Sequence, residues 1–393
     1  MRFYSRALAL RMSLGLILLL LTCSQLLAVT DRPLRVLNDV QMARTDSKEF
    51  SFIVFGDFRA SRRDRPYHEA FLKIMSEIEM INPDFAVSTG DAYYGYGGSF
   101  QRFKNEIEYF EAISRRLSIP FFNVIGNHEL GGGGKREDYI RERFGNLYGS
   151  FDFGNSHFIV LNTEEKGREG MIMGEQLEWL KKDLENNKNS TNIFVFMHRP
   201  MYSIIDPDLL FGKSFRDREN RDYLHSLFKK FRVKAVFAGH EHLFSETIKD
   251  GIRYIVTGGG GSPLYQSPKG GGYFHYLIAN VKGEDINLGL MVPGTISIRT
   301  ITGNDGFEEK TEVEVSNISY SDLKLKNIPV MMPMAGIERY KVKAIAISVR
   351  GERKDHSVRI ARIRDNRDGT ALLGIEAAIP ANGLLRINVE VDI

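Results

Sequence analysis

The amino-acid sequence predicts an α/β layered domain followed by a small all-β, sandwich-like domain. A length of 393 residues is large for one hydrophobic core and suggests two domains. Between residues 51 and about 290, short apolar runs alternate with amphipathic stretches of helical spacing. After about residue 293, alternating apolar and polar residues replace the helical spacing, which is typical of strands. We therefore expect a first domain over residues 48–292 and a second over 293–393.

The helices and strands of the first domain follow from the spacing of apolar residues. In the stretch 67–81, Phe71, Ile74, Met75 and Ile78 recur at intervals that place them on one face of a helix. Further helices are expected at 100–117, from Gly174 onward and at 216–231. Strands are expected in the apolar runs before the polar blocks described below, and also at 149–153, 157–161, 252–257 and 273–281.

Two dipeptides in the second domain indicate tight turns. Asp368-Gly369 and Asn382-Gly383 each separate alternating runs, and such pairs are a strong short-range signal for a β-hairpin. We expect both to connect neighbouring strands of a β-sandwich.

The first thirty residues have the composition of an export signal. Arg2, Arg6 and Arg11 precede an apolar run at 14–28, and no acidic residue lies within the first thirty. We predict a signal peptide over residues 1–28. The alternative is a membrane anchor, but the unbroken apolar core is short for a transmembrane helix.

Cys23 is the only cysteine, and it lies inside the predicted signal. Exported eukaryotic domains often carry disulfides, so a cysteine-free mature chain favours a bacterial cell envelope. We expect export to the bacterial periplasm or the extracellular space, with membrane attachment only through the signal or through a lipid on Cys23. Removal of the signal removes three arginines and no acid, so the formal net charge falls from +3 to about zero. This charge gives no indication of a nucleic-acid polymer as a partner.

Two glycine-rich stretches are expected to be flexible loops beside a cleft. Residues 131–135 (GGGGK) invite comparison with a phosphate-binding loop, but Arg136 stands where that motif needs Ser or Thr. The stretch 257–261 (TGGGG) has no lysine. A nucleotide-binding loop is therefore disfavoured at both places.

Five short polar blocks follow five of the apolar runs. Because the carboxyl ends of strands in open layered sheets border the ligand-binding crevice, we expect these blocks to bring their side chains to one edge. The blocks are Gly56-Asp57, Gly90-Asp91-Ala92-Tyr93-Tyr94, Gly126-Asn127-His128-Glu129, Val195-Phe196-Met197-His198 and Gly239-His240-Glu241-His242.

The number of candidate ligands indicates two metal ions. One divalent ion needs three or four protein ligands, whereas the blocks supply seven candidate ligands, namely two Asp, one of the two Tyr, one Asn and three of the four His. One carboxylate can bridge two ions about 3.5–4 Å apart. His240 and His242 point the same way from an extended segment, so each can reach one ion. A set of N and hard O ligands without sulfur suits Fe, Zn or Mn.

These blocks resemble those of the calcineurin-like metallophosphoesterase superfamily, and more narrowly its purple acid phosphatase branch. The resemblance covers roughly residues 51–290. The GNHE and GHEH blocks are shared by the whole superfamily, whereas Tyr94 and His198 point to the purple branch. The resemblance implies that residues 48–292 form a catalytic two-sheet αββα sandwich. Residues 293–393 lie outside the resemblance, and their alternating pattern predicts an accessory β-sandwich.

Carried over position by position, the resemblance implies a full set of metal ligands. The first metal would be held by Asp57, Tyr94 and His242. The second would be held by Asn127, His198 and His240, with Asp91 as the bridge. Because a phenolate is a hard anion, the first metal would be Fe(III), and the second would be Fe, Zn or Mn.

The resemblance also implies a reaction. A metal-bound hydroxide would attack the phosphorus of a small phosphomonoester in line. Asp91 and His128 would be the catalytic residues; His128 would protonate the leaving-group oxygen or hold the phosphate, which Asn127 also contacts. One alternative is a phosphodiesterase or nucleotide hydrolase of the same fold. Another is a non-catalytic binding module on a phosphatase scaffold, which is disfavoured because all seven ligand positions are filled.

Arg59 departs from the family pattern, because most of the superfamily has a histidine ligand two residues after the first Asp and the purple branch usually has Gly. A guanidinium does not bind a metal, but it can hold a phosphate with two hydrogen bonds. The alternative is a surface arginine in a basic loop. Without that histidine, Tyr94 becomes more necessary as a ligand, although Tyr93 or Tyr96 could pack in the cleft instead.

Overall fold

The computed structural model describes residues 34–392, apart from residues 44, 63–64, 132–133, 206–213, 216, 305–307, 320 and 349. The predicted signal peptide, including Cys23, lies outside the described residues. Among the residues that are described, no helix is both long enough and apolar enough to cross a lipid bilayer.

Eleven strands and six helices form the larger part of the described fold. The strands are β1 (Glu49–Phe55), β2 (Phe85–Ser88), β3 (Phe121–Asn123), β4 (Gly149–Phe153), β5 (Ser156–Val160), β6 (Asn192–Phe196), β7 (Ala235–Ala238), β8 (Phe244–Lys249), β9 (Ile252–Thr257), β10 (Tyr276–Lys282) and β11 (Asp285–Met291). The helices are α1 (Glu69–Ile81), α2 (Phe100–Ser114), α3 (Asn127–Leu130), α4 (Lys135–Phe144), α5 (Gly174–Asn186) and α6 (Arg218–Lys230).

These strands form two mixed sheets that pack face to face. The first sheet has the order β11-β10-β1-β2-β3, and the second has the order β4-β5-β6-β7-β9-β8. Within β1, Phe52 and Val54 point towards the second sheet, whereas Ile53 and Phe55 point towards the helices, as the two-residue repeat of a strand requires. Between the sheets, the rings of Phe52 and Phe194 pack edge to face with centroids 5.3 Å apart.

Helices cover the outer face of each sheet. Phe71 of α1 and Phe110 of α2 are buried in one cluster with Phe55 of the first sheet. Leu180 of α5 and Phe228 of α6 are buried in another cluster with apolar residues of the second sheet. The layers therefore run helix, sheet, sheet, helix, and the expected αββα sandwich is confirmed.

Two further sheets make up the C-terminal part of the described chain. Their strands are β12 (Ile296–Asn304), β13 (Glu308–Asn317), β14 (Leu323–Pro333), β15 (Tyr340–Ile347), β16 (Arg353–His356), β17 (Val358–Asp365), β18 (Thr370–Ile379) and β19 (Gly383–Asp392). The sheet orders are β12-β13-β19-β15-β16 and β14-β18-β17. Val313 and Ile387 of the five-stranded sheet share a buried core with Leu373 and Ile375 of the three-stranded one. The expected all-β C-terminal region is confirmed.

The two predicted turns have different outcomes. Asp368-Gly369 connects β17 and β18, which are antiparallel neighbours, so the hairpin prediction is right there. Asn382-Gly383 lies between β18 and β19, which belong to different sheets, so the hairpin prediction is wrong there. Each of those two strands already has a neighbour on both sides, and the chain therefore crosses from one sheet to the other.

Helix α4 begins at Lys135, the last residue of the stretch 131–135 that the sequence predicts as a flexible loop, and the sequence predicts no helix there. Of the residues in α4, Ile140 alone is buried, so the segment lacks the apolar stripe by which an amphipathic helix is predicted. The glycines that precede it caused the loop prediction, and Gly134 immediately before α4 has a positive φ of 61°. The loop prediction for residues 131–135 is therefore wrong at Lys135, where α4 begins, and the helix itself is not predicted by the sequence.

His157 of β5 is a buried cation between two carboxylates. Its ring nitrogens lie 2.6 Å from Asp152 Oδ1 and 2.8 Å from Asp183 Oδ2. Burial opposes a charge on the imidazole, but the hydrogen bonds and negative charges of the two carboxylates outweigh burial and raise the pKa of His157 to about 9.

The raised pKa of His157 predicts a pH-dependent stability. The unfolded imidazole has a pKa of about 6.5, so its stabilising contribution is full below that pH and is lost as the pH rises through about 9. We expect the free energy of unfolding, from urea titrations, to fall between pH 7 and pH 10, and to fall less in His157→Gln. The control His356→Gln should keep the wild-type dependence. Equal slopes for His157→Gln and wild type would contradict the assignment.

Candidate metal centre

The five predicted blocks follow five strands whose carboxyl ends meet at one edge of the packed sheets. β1, β2 and β3 are parallel neighbours in the first sheet, and β6 and β7 are parallel neighbours in the second. The backbone N–H of His240 donates to Asp57 Oδ2 at 2.9 Å, which joins the two sheets at this edge. The blocks are thus brought together, as the strand-end argument predicts.

Three of the candidate ligands have a left-handed backbone. The φ angles of Asp57, Asp91 and His240 are 55°, 58° and 68°, values that residues other than glycine adopt uncommonly. Such a conformation costs on the order of 1–3 kcal/mol per residue, and residues that adopt it cluster at functional sites. Their concentration at one edge supports a functional role for that edge.

Two glycines are required by the close approach of the blocks to one another. A Cβ on Gly126 would lie 2.4 Å from Asp91 Oδ1, and a Cβ on Gly239 would lie 2.4 Å from Asp57 Oδ2. Both carboxylates are buried and have little room to move, so a side chain at either glycine would displace a candidate ligand.

Four side chains converge with the spacing expected around a single ion. Asn127 Oδ1 lies 3.1 Å from His198 Nε2 and 3.0 Å from His240 Nδ1, and those two nitrogens are 3.2 Å apart. Asp91 Oδ1 lies 3.4 Å from His198 Nε2. Ligand atoms bound to one metal at about 2.0–2.2 Å are about 3 Å apart, so these four atoms fit one metal ion.

Asp57 and His242 form a second group of donors beside Asp91. His242 Nε2 lies 3.4 Å from Asp57 Oδ1. That oxygen is buried and accepts no hydrogen bond from any residue that the structure describes. Ligand atoms of Asp57, Asp91 and His198 all lie within 4.8 Å of one another. Because a buried carboxylate is costly without a balancing cation, this group fits a second metal ion.

Backbone carbonyls orient two of the imidazole rings. Nδ1 of His198 donates to the carbonyl of Thr89 at 2.8 Å, and Nδ1 of His242 donates to the carbonyl of Pro263 at 2.6 Å. Donation from Nδ1 leaves the lone pair on Nε2, the atom nearest the carboxylates. Burial, together with the charge of Arg59, lowers the pKa of His242 to about 4, so its ring is neutral at neutral pH, as a metal ligand must be.

The two tyrosines of the second block and Tyr96, which follows it, take three different positions. Tyr94 lies beside the ligand cluster, with its ring centroid 5.8 Å from that of His128 and 5.9 Å from Cζ of Arg59. Tyr93 is buried in the core below helix α2. Tyr96 lines the cleft, and its hydroxyl accepts a hydrogen bond from Nδ2 of the candidate ligand Asn127 at 3.1 Å.

His128 and Arg59 both approach the second oxygen of Asp91. His128 Nε2 lies 3.8 Å from Asp91 Oδ2, and its Nδ1 donates to the carbonyl of Tyr94. Arg59 Nε lies 3.7 Å from the same oxygen, and the Arg59 side chain is only 13% exposed. This Nε donates to no described residue. Arg59 is therefore directed into the site and not towards solvent.

Glu129 supports the loop that carries Asp91. Its carboxylate accepts hydrogen bonds from the backbone N–H groups of Asp91, Ala92 and Gly126 at 2.9, 2.6 and 2.8 Å. Burial and the charge of Asp91 raise the pKa of Glu129 to about 8, against the effect of these donors. Glu129 fixes two strand ends relative to each other, a role consistent with its burial.

Positive charges keep Asp91 ionised despite its burial. Burial raises the pKa of this carboxyl, but the charge of Arg59, together with those of His128 and His198 when their rings are protonated, outweighs burial and holds the pKa well below its ordinary value. The carboxylate form is the form that binds metal ions.

Sequence reasoning missed three residues that surround the ligands. Tyr265 stacks on His242 with ring centroids 4.0 Å apart. Arg199 donates from Nε and Nη2 to Glu164, at 2.8 Å in each case, and its Nη1 lies 3.4 Å from His240 Nε2. Arg199 directly follows the candidate ligand His198, and this adjacency could have marked Arg199 as part of the site. Tyr265 and Glu164 lie in loops where no sequence pattern marks them.

Comparison with known proteins shows the family to which the chain belongs. The family model for calcineurin-like phosphoesterases matches residues 35–244, more than half of the chain. Tartrate-resistant acid phosphatase type 5 of Rattus norvegicus is 27% identical over 267 residues, which cover 57% of this chain and 78% of the rat protein. The probable inactive purple acid phosphatase 27 of Arabidopsis thaliana is 25% identical over 261 residues, or 54% of this chain. The aligned region covers 41% of that protein, so the chain spans less than half of its length.

Among solved structures, the purple acid phosphatase PPD1 from seeds of yellow lupin (Lupinus luteus) is similar in fold. It matches with a TM-score of 0.50 and 18% identity, over 69% of this chain and 52% of the lupin chain. Metallophosphoesterases of the matched family bind two metal ions, in agreement with the two donor groups that share Asp91. The chain belongs to the calcineurin-like phosphoesterase family and is related to the purple acid phosphatases.

Proposed function

We propose that the chain is an exported phosphomonoesterase that works with two metal ions. The observation that supports this most directly is the convergence of buried N and O donors from five strand ends, with two imidazole lone pairs directed at carboxylates. Ions bound there would lower the pKa of a water molecule for attack on phosphorus and would neutralise charge on the phosphoryl oxygens.

The chain's own residues would bind and orient the ester. Asp91 is ionised and lies between the two donor groups, so it would fix both ions. Arg59, whose Nε lies 3.7 Å from Asp91 Oδ2 and makes no hydrogen bond to a described residue, would donate to a phosphoryl oxygen. The Asn127 amide would contact the phosphate from the other side. His128, whose Nε2 lies 3.8 Å from Asp91 Oδ2, would transfer a proton to the leaving oxygen.

Hydrolysis of two chromogenic esters by the purified, metal-loaded chain tests this proposal. We expect a higher kcat/KM on p-nitrophenyl phosphate than on bis(p-nitrophenyl) phosphate. A preference for the diester would favour the phosphodiesterase alternative. Hydrolysis of neither ester would favour a non-catalytic module, a possibility illustrated by the Arabidopsis relative that is named as inactive.

For the metals, we propose Fe(III) at the site beside Tyr94 and Fe, Zn or Mn at the other site. Replacement of Tyr94 by Phe is then expected to abolish a visible phenolate-to-iron absorption band, because Phe has no oxygen to bind the metal. Absorption spectra and metal analysis of the same preparations measure this. Tyr96→Phe is the control, because it removes a phenol oxygen that lies two residues further along the chain and is not a proposed ligand. This variant should keep the band. A band that survives in Tyr94→Phe, or a colourless wild type with stoichiometric Zn or Mn, would contradict the proposal.

Substitution of Arg59 by Ala is expected to lower kcat/KM on p-nitrophenyl phosphate by roughly 10–100-fold, since a hydrogen bond to a charged group contributes about 1.5–3 kcal/mol. The loss should be mainly in KM. Arg59→Lys should recover little, because an ammonium lacks the planar pair of donors. Arg62→Ala, in the exposed part of the same loop, is the control and should have no effect. An unchanged KM in Arg59→Ala would remove Arg59 from the substrate site.

We also propose export, on the composition of residues 1–28 alone. The mass of the mature chain, isolated from cells that produce it, tests this directly. A mass reduced by the signal supports cleavage, and an added acyl mass on a chain that begins at Cys23 would indicate a lipoprotein. An unprocessed N-terminus would contradict cleavage.

A further inference from the structure

A cavity of about 200 Å³ opens beside the candidate metal centre. Asn127 lines it on the side of the metal ligands, and Tyr96 and Leu130 line it nearby. The hydroxyl of Tyr96 accepts a hydrogen bond from Nδ2 of Asn127 at 3.1 Å. The cavity therefore adjoins the place where an ester would bind, without overlapping the metal ligands other than Asn127.

The position of His128 relates this cavity to the leaving group. The ring of Tyr96, which lines the cavity, packs edge-on against His128 with centroids 4.7 Å apart, so the wall of the cavity is in contact with the proposed proton donor. An ester whose phosphorus lies at the metals and whose leaving oxygen faces His128 would extend its alcohol along the Tyr96 ring. The cavity is then the volume that this alcohol enters.

The inner wall of the cavity is polar but electrically balanced. Arg199 is 9% exposed and Glu164 is 4% exposed. The guanidinium donates from Nε and Nη2 to the Glu164 carboxylate, at 2.8 Å in each case. This buried ion pair is rigid and has no net charge, so it can offer hydrogen bonds without attracting an ionic alcohol.

The outer wall carries charges of both signs. Lys166, Glu137 and Glu169 line it. Glu137 already accepts a hydrogen bond from Arg141 at 2.8 Å. A second anionic group on the substrate would face Glu137 or Glu169 here, and a cationic alcohol would face Lys166. A hydroxyl group both donates and accepts, so a neutral alcohol with several hydroxyls can pair with both kinds of wall.

We propose that this cavity is the leaving-group subsite and that it selects phosphomonoesters of uncharged, polyhydroxylated alcohols, such as sugar phosphates. The assignment rests on the proposed phosphomonoesterase function. The volume is small beside the roughly 300–1,000 Å³ of sites for drug-sized ligands, which suits one sugar ring. The Tyr96 ring and Leu130 supply the apolar surface that the C–H face of a sugar needs.

The test compares two alkyl phosphates of similar leaving-group acidity on the metal-loaded full chain. Glucose 6-phosphate carries the hydroxyls and n-butyl phosphate lacks them. We expect kcat/KM to be at least about tenfold higher for glucose 6-phosphate. The butyl group would leave the polar groups of the cavity walls without hydrogen-bond partners. Lys166→Ala and Glu169→Gln should each lower this ratio several-fold. Lys188→Ala, an exposed lysine at the end of α5, should leave the ratio unchanged.

Equal kcat/KM values for the two esters, or a ratio that Lys166→Ala and Glu169→Gln do not change, would overturn the subsite while leaving phosphomonoesterase activity in place. A preference for O-phosphoserine over glucose 6-phosphate would also overturn it, since that leaving group is charged. If no phosphoester is hydrolysed, the proposed function fails and the subsite fails with it.

Discussion

Replacement of Asp91 by Asn is expected to lower phosphoester hydrolysis by roughly a thousandfold or more and to weaken the binding of both metal ions together. Asp91 Oδ1 lies 3.4 Å from His198 Nε2, in one donor group. Oδ2 lies on the side of Arg59 and His128, at 3.7 and 3.8 Å from their nearest nitrogens. An Asn side chain has nearly the same shape, but it lacks the charge and the second acceptor oxygen that a bridge requires.

Metal content and kcat/KM, measured on one preparation of each variant, test the bridging role of Asp91. Asp222→Asn is the matched control, because Asp222 lies on the exposed face of α6 with its side chain 56% exposed; both quantities should stay at the wild-type value. Circular dichroism shows whether each variant is folded. A folded Asp91→Asn that keeps two ions, or that turns over at a near-normal rate, would refute the bridge.

The parts of the fold and site that could be predicted depend on local sequence patterns. Each polar block directly follows an apolar run, and parallel strands bring their carboxyl ends to one edge. For this reason Asp57 and His240, which are distant in sequence, are in hydrogen-bond contact. The α1 stripe of Phe71, Ile74 and Ile78 is buried as its spacing predicts.

The parts that could not be predicted depend on contacts between distant segments. The stacking of Tyr265 on His242 brings together two loops whose relative position is set by the second sheet. The same holds for the ion pair of Arg199 and Glu164, which are 35 residues apart. The failed hairpin at Asn382-Gly383 has a similar cause, because turn chemistry is local whereas the choice of sheet is decided by the neighbours of β18 and β19.

The effect of removing His128 should depend on the leaving group. We expect His128→Ala to lower kcat on n-butyl phosphate by roughly 10²–10⁴-fold, the usual contribution of a general acid. The loss on p-nitrophenyl phosphate should be much smaller, because nitrophenolate is a stable anion and leaves without a proton. The His128 ring is well placed for this role, since it is largely buried and its Nε2 approaches Asp91 Oδ2.

The pH dependence gives a second, independent readout of the same role. Burial lowers the pKa of His128 to about 4, with Asp91 opposing and Arg59 adding to the effect. The protonated fraction therefore increases as the pH falls towards 4, and wild-type turnover of n-butyl phosphate should increase in the same direction. His128→Ala should lose this dependence. If His128 holds the phosphate and donates no proton, the activity of His128→Ala will instead fall by the same factor on n-butyl phosphate and on p-nitrophenyl phosphate. That result would assign His128 to substrate binding.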